Sequence, residues 1–212
     1  EFRRVLFRSS SPGCAQALQG LALPTLRRLL GRLEKGREDL GQLTDLSMPN
    51  ERALARAAGL PDADGRIPWA AWDLRCAQRD PGTAPWAWIT PCHWEVGADH
   101  ITMRSPRHLA LREEESRALL AAMQPFFEED GLALTWDAPG RWLVQGEMLQ
   151  GLACASLDRV VGSQVDDWLP RQPEARGMRR LQQEMQMLLY THPVNEAREG
   201  QRLPTVNSFW VS

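Results

Sequence analysis

A chain that closes on a long amphipathic helix followed by a short apolar strand has few ways to bury both. The stretch from Pro173 to Ser212 has this pattern. Met178, Leu181, Met185 and Leu188 recur at helical spacing, with Arg179, Arg180, Gln183, Glu184 and Gln186 on the other face. His192-Pro193 predicts the stop, because a proline ring pushes the residue before it out of the α region. A polar connection follows. Thr205 to Val211, carrying Val206, Phe209, Trp210 and Val211, reads as a strand returning to a central sheet with Phe209 or Trp210 buried.

The bulk numbers fit such a fold. At 212 residues, 43% hydrophobic and 25% charged, the chain suits one soluble globular domain. A formal net charge of −2 supplies no field that would gather nucleic acid or anionic lipid. No apolar run approaches the roughly 20 residues needed to span a bilayer, so neither nucleic acid nor membrane is expected as a partner. Cys14, Cys76, Cys92 and Cys154 lack CxxC spacing, and a chain of this length needs no disulfide scaffold, which points to reduced thiols in a cytoplasm. Lys35 is the single lysine. The nine tryptophans are expected to fill the core, since no basic groove accompanies them as a platform for bases.

Residues 1–9, EFRRVLFRS, resemble the translation of a short-read sequencing adapter and are set aside from the fold, although Val5-Leu6-Phe7 has the propensity of a strand. Native sequence is expected from about Ser10, as a single domain over 10–212. Leucine-rich helical sequence runs from Cys14 to Lys35, broken at Pro24, with Leu26, Leu29, Leu30 and Leu33 on one stripe. Asn50 to Gly59 predicts a short helix carrying Leu54, Ala57 and Ala58 and closed by Gly59. Pro68 opens another, with Trp69, Trp72 and Cys76.

The period then changes. Trp86, Trp88, Cys92, Trp94 and Val96 alternate onto one face, as in a strand with one buried side, and His100 to Arg104 can pair back on it. Glu113, Glu114 and Glu115 open a helix whose apolar face is Leu119, Leu120, Met123, Phe126 and Phe127; Pro125 is expected to kink or end it. Leu132-Leu134-Trp136 and Trp142-Val144 form a hairpin around Ala138-Pro139-Gly140. The fold class is therefore α/β in the α+β sense: a mixed β-sheet with packed helices, with 86–146 as a small strand-helix-strand-strand lobe. Ser156 is a candidate helix cap.

Chemistry is sparse. His93, His100 and His108 with Cys92 are the one cluster that suggests zinc, but their spacing fits neither a finger nor a helical His-x-x-x-His pair, so no metal is expected. Asp158, Asp166 and Asp167 have no nucleophile or second base beside them and read as caps or solvated side chains. Cys92, inside a tryptophan strand, reads as a buried apolar residue. No phosphate loop, nucleophile elbow or Walker sequence is present, and no catalytic residue or cofactor is assigned.

One segment is more specific. His192-Pro193-Val194-Asn195, followed by Arg198, Gly200, Pro204 and Asn207 before an apolar strand, resembles the archaeal-type cofactor-independent phosphoglycerate mutases. There a similar segment leads from an inserted lobe back into an alkaline-phosphatase-like core. Asp158, Gly162 and Leu169-Pro170 are similar to a short motif of that family. The strand at Cys92, the acidic helix and the hairpin with Arg141 follow the order of the inserted lobe, so the resemblance covers 86–212. Pro91 stands where the family has an arginine, and Leu157 where it has the histidine of a His-Asp pair. Nothing corresponds to its metal ligands or nucleophilic serine. Taken whole, LPTLRRLLGRLE, ERALARAAGL, IPWAAW and LPTVNSFWVS resemble the bacterial regulatory protein RpfE family, which also implies an N-terminal strand.

This resemblance implies a soluble, cytoplasmic regulatory or binding protein, a catalytically incomplete relative of the mutase. Its partner is expected to be another protein or a phosphorylated small molecule. His192, Pro193, Asn195, Arg198, Asn207 and Asp158 carry the motif. Arg141, His93 and His108 are candidate ligand contacts, and Arg198 is expected to anchor the HPVN turn through backbone carbonyls or a carboxylate such as Asp158 or Glu196, or else to share an anion with His192. The alternative reading is an active, metal-dependent mutase-like phosphotransferase. A third is an interaction module that docks a partner on an exposed tryptophan patch.

Overall fold

The structure is a computed structural model that describes residues 16, 19–33 and 38–212. The Val5-Leu6-Phe7 stretch, Cys14 and Lys35 lie outside the described residues. The fold is α+β. Helices α1 (Pro24–Leu30), α2 (Pro49–Ala57) and α3 (Trp69–Cys76) lead into β1 (Trp86–Cys92), β2 (Trp94–Val96) and β3 (Ile101–Met103). Then come α4 (Glu113–Glu129), β4 (Ala133–Ala138), β5 (Arg141–Gln145), α5 (Leu157–Val160), α6 (Arg176–Tyr190), α7 (Pro193–Gly200) and β6 (Ser208–Val211). A four-stranded sheet has the order β4-β5-β1-β6, and β2 pairs with β3 in a small second sheet. Every pairing in the main sheet is antiparallel. None of the helices is long and apolar enough to cross a membrane, among the described residues.

The two faces of the main sheet are buried differently. On one, Ile89, Trp142 and Val144 meet α4 (Leu119, Met123, Phe127) and α6 (Met178, Leu181, Met185, Leu189), with Phe209 of β6 closing the core. Phe127 and Phe209 have ring centroids 5.5 Å apart at a tilt, a favourable aromatic geometry. Trp142 is fully buried there, and its indole N–H donates to Ser116 Oγ at 2.9 Å; Trp136 donates to the same oxygen at 3.1 Å. One hydroxyl thus satisfies two indoles.

The other face is covered in two separate patches. Helix α3 lays Ala70 and Leu74 on Leu143, Trp86 and Trp88. Farther along, Met103, Ala155, Val160 and Val165 cover Cys92 and Trp210. The alternation of β1 was legible in its sequence, but both of its faces are buried, and His93 breaks the run before β2. Of the nine tryptophans only Trp142 and Trp210 lie in the core; those at 69, 72, 86, 88, 94, 136 and 168 are half-buried, so neither a tryptophan-filled core nor an exposed tryptophan patch describes them. Pro91 sits in a central strand without cost. Trp88 exchanges both backbone bonds with Ser212 (2.8 and 3.1 Å), so alternate residues of β1 face β6, and Pro91 turns its ring nitrogen toward β5. The β5 pairing has already ended at Ile89–Trp142.

Three expectations need correction. Of the kink or end expected at Pro125, the end is corrected: helix α4 runs on to Glu129. Pro125 and Ala121 are both exposed, so the carbonyl that loses its helical partner faces water, while Met123 and Phe127 hold the turns on either side in the core. The residues after His192-Pro193 form helix α7 and not a polar connection. The leucine stripe of α1 is not a core face: that helix buries no residue, and Leu29, Leu30 and Leu33 are about half exposed. In α2 the buried residue is Ala55, with Gly59 (φ +69°) closing the helix as expected.

Arg52 fastens α2 to the preceding loop. Its guanidinium grips Asp39 through Nε (2.9 Å) and Nη2 (2.7 Å) and donates to the Ser47 carbonyl at 2.9 Å. The hydrogen bonds from Arg52 are the largest influence on Asp39 and hold its carboxyl down, from an ordinary 3.8 to about 2. A depressed carboxyl adds stability above its unfolded value and loses it as pH falls through the folded one. Because the pair is partly solvated, Asp39→Asn is expected to cost about 1 kcal/mol at neutral pH, an effect that fades between roughly pH 4 and pH 2. Urea denaturation of both proteins at neutral pH and at pH 3 checks this. In the core, Ser116→Ala should cost about 2 kcal/mol by stranding two indole donors, read from the denaturation midpoint.

Candidate functional site

The motif that carries the sequence resemblance is a scaffold. His192 caps α7, its Nδ1 accepting from the Val194 N–H at 3.2 Å, and Pro193 occupies the first helical turn, where no N–H is needed. Desolvation holds the His192 imidazole below its ordinary range, so it is a neutral acceptor, as the cap requires. Asn195 is buried and uses its whole amide on backbone: Nδ2 donates to Leu189 O (2.8 Å) and Val206 O (2.7 Å), and Oδ1 accepts from Val206 N (2.9 Å). Asn207 does the same for β2, accepting from Trp94 N at 2.7 Å and donating to Trp94 O at 2.9 Å.

Arg198 is 1% exposed. Its Nε donates to Pro204 O at 2.8 Å, Nη1 to Glu115 Oε2 at 2.9 Å, and Nη2 to Leu109 O. The expected carbonyl anchoring is present, but the carboxylate is Glu115, eighty-three positions away in the chain, and neither Asp158 nor Glu196. An anion shared with His192 is also corrected, because the guanidinium is spent on these partners and closed to solvent. Burial pushes the Glu115 carboxyl up; donors from the Arg112 side chain and backbone (3.0 and 2.9 Å) and the Arg198 charge outweigh it and hold Glu115 ionised below its usual range. His93 is likewise structural, with Nδ1 at 2.8 Å from the Thr205 carbonyl.

Three other candidates from the sequence, Arg141, His108 and Asp158, meet in a cleft of about 690 Å³. It opens over Trp88 and Thr90 of β1, where the two patches covering the second face of the sheet stop short of each other. Its size suits a small molecule. Arg141, the first residue of β5, is braced by Asp137 (2.7 Å) and Asp73 (3.0 Å), with its guanidinium carbon 5.0 Å from the centre of the Trp88 ring. Arg107 and His108 enter from the single helical turn Pro106–Leu109, the turn whose last carbonyl Arg198 holds. The buried motif arginine therefore positions the basic lining of the cleft.

The remaining lining is built around Gly65 (φ +67°). Asp64 accepts from Leu46 N (3.0 Å) and Ser47 N (2.7 Å), Gly65 N donates to Ser47 Oγ (2.8 Å), and Gly65 O accepts from Cys154 N (2.9 Å). A Cβ at this position would lie 2.6 Å from Leu46 Cδ1 and 3.0 Å from the Cys154 carbonyl, so only glycine closes the junction. Glu51 and Asp158 line the cleft beside it. Burial is the main force raising the Glu51 carboxyl above its usual range; the neighbouring Asp158 adds to it, while the Met48 N–H and Arg159 oppose it. Ser156 stands at the N-terminus of α5, but its side chain does not cap the helix.

Sequence reading missed Glu51, Trp88 and Arg107 as site residues. Nothing in their local sequence marks them; they converge only through tertiary packing. The thiols of Cys92 and Cys154 are inert: burial pushes both up, Cys154 to about 12. Among the described residues no group of three or more His, Cys, Asp or Glu side chains is placed to hold a metal ion.

No protein-family model matches the chain, and a comparison with curated proteins gives no match. Among solved structures it is similar to a cofactor-independent phosphoglycerate mutase from Thermoplasma acidophilum DSM 1728. The identity is 16% and the TM-score 0.45, over 59% of this chain and 35% of that one. The chain thus corresponds to about a third of the length of that mutase.

Removing the Arg198 guanidinium takes the buried cation from Glu115, leaving it Arg112 alone, and takes a donor from the Leu109 and Pro204 carbonyls. Arg198→Met is expected to lose about 3–5 kcal/mol of unfolding free energy. Adding Glu115→Gln should recover part of it, which a double-mutant cycle in urea measures directly.

Proposed function

We propose that this chain is a cytoplasmic regulatory or binding protein of the RpfE type, a catalytically incomplete relative of cofactor-independent phosphoglycerate mutase. Its ligand is a phosphorylated small molecule held in the cleft over Trp88. The observation that carries the reading is the convergence of Arg107, His108 and Arg141 on one cleft of small-molecule size floored by a tryptophan. Guanidinium groups recognise phosphate through paired N–H donors, and Arg107 is exposed with no side-chain partner among the described residues.

The commitment of the motif residues supports the non-catalytic half of the reading. His192, Asn195, Arg198 and Asn207, which carry the resemblance to the mutase, spend their polar atoms on backbone and on Glu115. Phosphoryl transfer asks for a nucleophile and for groups that neutralise developing charge at one point. Apart from His192 Nε2, the polar atoms of those four side chains are committed to holding the fold. Pro91, where the mutase strand has a charged donor, can offer phosphate neither a side chain nor an N–H.

The test is a thermal-shift screen of the full chain against phosphorylated metabolites. A ligand at ten times its Kd is expected to raise the melting temperature by about 3–6 °C, and Arg107→Ala, which alters only an exposed side chain, should abolish the shift. In parallel, the protein incubated with 3-phosphoglycerate and manganese, cobalt or zinc should show no turnover above buffer. Metal-dependent turnover would replace the binding reading with the phosphotransferase alternative.

A further inference from the structure

The cleft's lining divides by charge according to the segment it comes from. Arg107 and His108, on the turn after β3, and Arg141, in the β4–β5 hairpin, are basic. Glu51, in the first turn of α2, and Asp158, in α5, are acidic and line the same side of the cleft, and the Asp158 charge adds to the rise of the buried Glu51 carboxyl. No ion pair joins the two sets among the described residues: Arg141 bonds Asp73 and Asp137, outside the acidic set, and the Arg107 side chain bonds nothing. Arg159 lies near Glu51 but directs Nη2 to the Gln42 carbonyl at 3.0 Å and stacks over Trp168. Arg107 and Asp158 thus line the cleft with no side-chain partner among the described residues, while Glu51 spends one carboxylate oxygen on the Met48 N–H. Two neighbouring carboxylates favour a cation between them, as an unpaired guanidinium favours an anion.

We propose that the cleft is built for a small zwitterion, a phosphorylated amine whose phosphate meets Arg107 and whose ammonium group meets Glu51 and Asp158, with its carbon body against Trp88. This rests on the reading of the cleft as a phosphate-ligand site and goes beyond it by assigning the second pole. It also separates this ligand from purely anionic phosphorylated acids, which the carboxylate pair would repel.

Isothermal titration of the full chain with O-phosphoethanolamine, ethyl phosphate and ethanolamine tests it. The first two differ by the amine alone. Phosphoethanolamine is expected to bind at least about tenfold more tightly than ethyl phosphate, the scale of one charge-assisted contact. In Asp158→Asn and in Glu51→Gln that advantage should shrink below about threefold. Asp158 is exposed, and glutamine at 51 can still accept the Met48 N–H now bonded at 2.6 Å, so neither change threatens the fold. Equal affinity for the two phosphates in the unmodified protein overturns the zwitterion and leaves the phosphate site standing. The zwitterion is equally overturned if neither binds while another phosphorylated metabolite does. If no phosphate-bearing compound binds, the ligand reading falls with it.

Discussion

One buried ion pair ties together parts of the chain that lie far apart in sequence. Glu115 opens α4, Arg198 lies in α7, and the guanidinium also fastens Leu109 and Pro204. An ion pair taken out of water recovers its desolvation cost only when every donor and acceptor is used. Here the carboxylate accepts from Arg112 twice and from Arg198 once, while the arginine reaches two carbonyls besides. In this arrangement both charges are fully engaged, which sets the register of α4 against α7. Asn195 and Asn207 work in the same way at lower stakes, replacing ladder bonds where β6 begins and where β2 leaves the sheet.

The sheet is finished on one face and left open on the other. Packing of α4 and α6 closes the first completely. On the second, α3 and the 155–165 region cover opposite ends of β1, and the uncovered middle becomes the cleft. Unpaired charge at such a place is a local departure from the rule that side chains settle with their partners, and such departures gather at functional sites. The Gly65 junction and the Arg198 clasp on Leu109 keep the gap from collapsing.

How far the sequence disclosed this differs by element. Periodicity gave α4, α6, the β4–β5 hairpin and the buried Phe209 and Trp210, because each is decided by which face of a local element meets the core. It failed where the deciding interaction is non-local. A proline at 125 ends an isolated helix, but not one pinned by Met123 and Phe127 on either side. The leucines of α1 have helical spacing, but among the described residues that helix buries none of them. Arg198 was legible as an anchor of the HPVN turn because an arginine fork can hold several acceptors at once, whereas its partner Glu115 looked like one of three helix-opening carboxylates. Of the cleft, His108, Arg141 and Asp158 were in view, each for a different and partial reason, and none pointed to Arg107 or Glu51.

The cleft is assembled from segments scattered between Ser47 and Val161, with Ser212 closing one edge. No fragment of the chain contains it. Such a site exists only once the distant segments have docked, so an occupant binds the folded chain and not the unfolded one. An occupant would therefore behave as a non-covalent cross-link between α2, the β1 floor, the Pro106–Leu109 turn and α5. Its grip would register in how firmly the folded protein resists coming apart.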